Sequence, residues 1–176
     1  RLPLTSEDVE RVLEARILKK NQPGQKELTR FFDKYGGTVA ALGQLPGASR
    51  DLPPVTPESF LAHYPFLPYQ FALIQDIFKA ARTGVTTGFT LNTEARSMLG
   101  MCQGVIVKHL LEKQTGALVT LDSVFDQVVL DLNQADLREI NKVTDQLPGV
   151  MPLDVRVVKA LYFIQQISYV VCTPDV

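Results

Sequence analysis

Cysteine and histidine occur only twice each in this 176-residue chain, which removes most of the chemistry that a sequence can advertise. Cys102 and Cys172 lie far apart, each inside an apolar run, and no CxxC pair is present. A disulfide framework and a cysteine-based zinc site are thereby excluded, and buried free thiols in a reducing, intracellular compartment are expected. His63 and His109 have no second His or Cys at metal-ligand spacing, so no metal site is expected and each reads as a core or surface residue. Ser97, Ser123 and Cys102 have no supported base and orienting group, so no nucleophile triad can be argued. No glycine-rich stretch runs into Lys-Ser or Lys-Thr, and Gly84 and Gly88 lack such a partner for wrapping phosphates. The chain alone is expected to hydrolyse no nucleotide.

Long apolar runs are missing too. The most apolar stretch, Val155 to Val171, is interrupted by Arg156, Lys159 and two glutamines and falls short of the ~20 residues that cross a bilayer. No signal peptide is present, and a cytoplasmic protein without membrane contact is expected. Charge of one sign is also lacking. A formal net charge of −1 argues against a general nucleic-acid or membrane-surface binder, though a local basic patch stays open. No initiator Met is present, and Thr173-Pro174-Asp175-Val176 reads as the start of another helix. Both ends are expected to continue into a longer chain.

What is present is helical periodicity. Apolar residues make up 45% and charged residues 21%, enough for a core at this length. Thr5 or Ser6 caps a first amphipathic helix to about Lys20, and Asn21-Gln22-Pro23-Gly24 turns the chain. A second helix spans about Gln25 to Tyr35. Gly36-Gly37 is expected to break it, with a short piece from Thr38 to Leu45. Residues 46–57 read as a linker or hinge loop. Thr56-Pro57-Glu58 opens a helix that ends near His63, and Pro68 opens the next, through Phe78 to about Arg82. A flexible Gly/Thr-rich loop covers 83–92. Helices then follow over Thr93 to about Lys113, Val124 to Leu132, Gln134 to Gln146 and Leu153 to Ile167. Only Val119-Thr120 looks strand-like. The predicted fold is an all-α multi-helix bundle. Its expected parts are an N-terminal helical segment and linker (1–52), a helical bundle (53–147) and a C-terminal helix leading into a following domain (148–176).

Three groups of residues invite a functional reading. Arg96 places a cation in the first turn of an apolar helix, where it opposes the helix dipole by ~0.3–1 kcal/mol. An anionic partner would rationalise it, and so would a salt bridge to Glu94 or another acid. The aromatic–proline segment Tyr64, Pro65, Phe66, Leu67, Pro68, Tyr69 and Phe71 reads as a ligand-stacking box or as a rigid corner that packs two helices. The carboxylate pairs Glu7/Asp8 and Asp122/Asp126 read as helix-cap or solvated-face acids.

Tyr64-Pro65-Phe66-Leu67-Pro68-Tyr69-Gln70-Phe71, followed by Glu94-Ala95-Arg96-Ser97-Met98-Leu99 and Gln103, resembles the large P-loop ATPase of the BREX phage-defence systems, the BrxC/PglY-like proteins. Ala95 departs from the family's acid-then-arginine pair. Val155 to Phe163 is similar to a later helix of the family, so the resemblance covers the last two-thirds of the chain. It implies a cytoplasmic antiviral-defence protein whose ATP- and Mg-binding core precedes this region. It also implies partners in that core, in other defence-complex subunits and, as a candidate, in DNA. The order Arg96, apolar helix, Val119 to Val124 further resembles the helical lid of AAA+ ATPases, which implies that Arg96 senses the nucleotide's terminal phosphates. The competing expectation is a helical protein–protein scaffold that never meets nucleotide. A winged-helix-like DNA contact by the C-terminal part is weaker, because the last helix is largely apolar.

Overall fold

The computed structural model describes residues 6–83, 96–128, 137–138, 140–142, 145 and 149–170. The chain is all-α, as the periodicity predicts, and no strand occurs among the described residues. Residues 84–92 of the predicted Gly/Thr-rich loop, the predicted helix start at Thr93, most of the Gln134–Gln146 helix, Cys172 and both chain ends lie outside them, and Thr83 closes a helix. Of the predicted strand-like spot, Val119 donates a single backbone hydrogen bond to the Pro65 carbonyl (3.0 Å).

Helix α1 spans Ser6–Val12 and runs on through a π-helical turn, Leu13–Ile17. The wide turn closes on Leu18, whose N–H donates to the Leu13 carbonyl at 2.8 Å, and both leucines are buried. Helix α2 spans Gln22–Leu42, with the Asn21 side chain accepting from the Gly24 N–H (2.9 Å). Gly36 and Gly37 do not break it, contrary to the sequence expectation. Two glycines cost about 1 kcal/mol each in a helix interior. Burial of Leu28 and Val39 on either side of them offsets that cost. At Gly36 the missing Cβ also leaves room for the Phe32 ring, which would stand 2.9 Å from it.

The 46–57 segment is pinned at several points. Ser49 donates its N–H to the Tyr169 carbonyl (2.8 Å), and Arg50 pairs with Asp76, which also accepts from the Tyr169 hydroxyl (3.0 Å). Helix α3, Pro57–His63, begins at a reciprocal cap between Thr56 and Ser59. Helix α4, Pro68–Thr83, follows a tight corner with a cis Tyr64–Pro65 bond. Helix α5, Arg96–Val105, ends in a second π-helical turn, Ile106–Leu110. Helix α6 spans Leu121–Val128 and helix α7 spans Pro152–Ile164, three residues short of the predicted end.

The main core joins Leu13 and Leu18 to Phe71, Leu73, Ile74, Ile77 and Phe78 of α4. Met98, Cys102 and Val105 of α5, Val124 and Phe125 of α6, and Tyr162 and Phe163 of α7 complete it. A smaller core collects Leu28, Val39, Phe60 and Leu67, with Phe31 and Phe32 packed against it.

Candidate functional site

Arg96 is helical and is the first described residue of α5. Its side chain lies outside the described atoms. The helix behind it is anchored, because Met98, Met101, Cys102 and Val105 are buried within two and a half turns. Burial pushes the Cys102 thiol up to about 12, so it is a packing group and not a nucleophile. Ser123 spends its hydroxyl on the Thr120 carbonyl at 2.6 Å. Neither offers the activated nucleophile that covalent catalysis requires.

In the aromatic–proline segment, Phe66, Leu67, Pro68 and Phe71 are buried, and the Phe66 and Phe71 rings meet edge to face at 5.0 Å. Gln70 clamps this corner to the loop before α6. Its carbonyl oxygen accepts from the Leu67 N–H (2.8 Å) and its amide donates to the Val119 carbonyl (2.8 Å). The half-buried Tyr64 accepts from the Gly116 N–H at 3.0 Å. Gly116 adopts φ +103°, and a Cβ there would stand 2.4 Å from the Phe31 ring, so only glycine fits.

The structure assembles a group that the sequence reading passed over. His63 closes α3 with its ring buried, and its Nδ1 lies 2.8 Å from the Ser59 carbonyl oxygen. Its Nε2 faces two carboxylates of α1, Glu10 at 2.9 Å and Glu14 at 3.3 Å. The chain separation hid this trio. Glu10 and Glu14 are one helical turn apart, but 53 residues separate Glu10 from His63, and only the packing of α1 on α3 joins them.

Lys20 stands beside the trio and donates to the Ala62 carbonyl at 2.8 Å. Burial lowers its pKa to about 8, against the opposing pull of Glu14. The folded state therefore holds fewer protons than the unfolded chain between about 8 and the ordinary lysine value, so stability contributed by this site rises with pH there. Urea midpoints of the wild type, taken relative to those of Lys20→Met, are expected to increase from pH 8 to pH 10. Parallel midpoints across that range would contradict the buried-ammonium assignment.

Helix α7 is apolar on two opposite sides. Tyr162 and Phe163 enter the core. Leu153, Val157 and Leu161, one turn apart, stay 62%, 47% and 44% exposed. Polar contacts hold the helix in place between these faces. Arg156 donates to Asp122 (2.7 Å) and Lys159 to Asp126 (2.6 Å). The predicted solvated acids of α6 are thus partners of α7. Partial burial pushes the Asp122 carboxyl up, but hydrogen bonds from Arg156 and Thr120 hold it below its ordinary value.

Among the described residues no helix is long and apolar enough to cross a membrane. No family model and no solved structure matches the chain.

Proposed function

We propose that this chain is the helical lid and coupling region of a large P-loop ATPase of the BREX phage-defence type, with no catalysis of its own. The exposed apolar row of α7 carries the coupling half of this reading. A helix with a second apolar row opposite its core face suits a place between two packed surfaces. One surface is its own bundle. The other is the ATPase core of the same protein, where ATP and Mg bind. Arg96 is the nucleotide-sensing residue, set on a helix that its buried face keeps rigid. A guanidinium reaching the terminal phosphates favours the closed lid when ATP is present, because ATP then binds the closed state better than the open one.

Hydrogen exchange in the full-length protein tests the docking. Val157→Asp with Leu161→Asp introduces charge on the exposed row and leaves the core face of α7 intact. Burying a charge at a packed interface costs far more than a surface substitution, which is usually within about 0.5 kcal/mol. The α7 amides are expected to exchange at least ~tenfold faster in the double variant, since each 1.4 kcal/mol of lost protection is tenfold. Unchanged exchange would remove the docking role.

The same exposed row also favours a second reading, a scaffold that docks α7 on another subunit and never meets nucleotide. The two readings separate at Arg96, whose replacement matters only to the first.

A further inference from the structure

Nothing in the lid reading uses the buried imidazole between α1 and α3. We propose that Glu10, Glu14 and His63 form a binding site for a divalent transition-metal ion of the zinc or manganese class, which pins α1 to α3.

The first observation is the hydrogen bonding of the ring. Nδ1 lies 2.8 Å from the Ser59 carbonyl oxygen, an acceptor only, so Nδ1 carries a proton and donates it. In the neutral imidazole that leaves Nε2 with a lone pair. The partners of Nε2 are the Glu10 and Glu14 carboxylates at 2.9 and 3.3 Å, which are acceptors as well when ionised. A largely buried ring thus turns Nε2, a metal-ligating nitrogen, toward two carboxylates. A proton on Nε2 or a metal ion among the three donor atoms satisfies this arrangement, and the spacing and access of the site bear on the metal ion. A carbonyl that fixes the distal nitrogen of a histidine is also the usual outer partner of a metal-binding imidazole.

The second observation is spacing. The three donor atoms lie within 4.8 Å of one another. An ion held at about 2.0–2.2 Å by nitrogen and oxygen donors sets neighbouring donors about 2.9–3.4 Å apart at tetrahedral to octahedral angles. Both Nε2–carboxylate distances fall in that range. One imidazole with two carboxylates suits zinc, manganese or ferrous iron, whereas calcium and magnesium prefer oxygen alone. The two carboxylate charges neutralise a divalent ion.

The third observation is access. Both glutamates are about one-third exposed, and an open hollow of about 340 Å³ lined by Arg11, Glu14, Leu18 and Ala62 adjoins the trio. An ion can enter there and keep water in its remaining positions. The site ties the N-terminal helix to the end of α3, so its expected consequence is stability and not turnover.

The test is zinc titration of the chelator-stripped full chain by calorimetry, with cobalt(II) absorption as a second readout of the ligand set. One ion per chain is expected, with a rise in melting temperature. Glu10→Gln and Glu14→Gln keep the side-chain shape on an exposed helix face and are each expected to weaken binding at least ~tenfold; His63→Gln is expected to weaken it at least ~100-fold. His109→Gln, the other histidine, is expected to change nothing. No saturable binding at 100-fold excess zinc would overturn the proposal and leave an imidazolium–carboxylate ion pair. Binding that survives both glutamate variants and His63→Gln would overturn it as well, because the ion would then sit elsewhere.

Discussion

Replacing Phe163 with alanine is expected to destabilise the fold by about 3–5 kcal/mol. Phe163 is fully buried where α7 meets α6, and its ring lies 5.5 Å from Phe125 and 6.3 Å from Tyr162. Truncation removes the transfer energy of the ring and leaves a cavity that rigid neighbours fill only in part. Domains of this size hold about 5–15 kcal/mol in total, so the loss is a large share of it. Urea denaturation followed by far-UV circular dichroism measures the effect. Leu161→Ala, two residues before it and on the exposed side of the same helix, is the control and is expected to stay within about 0.5 kcal/mol. Equal losses at the two positions would mean that α7 is not oriented as described.

Gln70→Leu is expected to cost on the order of 3 kcal/mol. The substitution is apolar and close in size, so packing alone predicts little change. The cost arises from the Leu67 N–H and the Val119 carbonyl, which both lose their partner in the core. Each buried backbone group left unpaired costs roughly 1–3 kcal/mol. The denaturation midpoint is expected to fall while the slope stays constant, the pattern of a stability change in an unaltered fold. A midpoint equal to wild type would show that water reaches the corner and satisfies both groups.

The helices were legible because their signals are local. Thr56-Pro57 and Pro68 each combine a fixed φ with a start position, and α3 and α4 begin where those residues place them. Gly36-Gly37 misled because glycine propensity is a weak local term, and the burial of Leu28 and Val39 on both sides outweighs it. The two π-helical turns left no mark in composition. Each is a one-residue widening of the helix, and the first places the buried Leu13 in the core. The glutamate–histidine trio was invisible for a different reason. Metal-ligand spacing is readable when donors share a segment, and here α1 supplies two donors and α3 the third. The two-faced character of α7 emerges only once the core side is known.

ATP turnover of the full-length protein carrying Arg96→Ala tests the central claim most directly. A sensor that stabilises charge on the transferring phosphoryl group should cost at least ~tenfold in turnover when removed, equivalent to ~1.4 kcal/mol of barrier. Arg96→Lys keeps the charge without the bidentate fork and is expected to recover only part of the rate. Turnover equal to wild type in Arg96→Ala, with α7 still docked, would contradict the lid and leave the scaffold reading in its place.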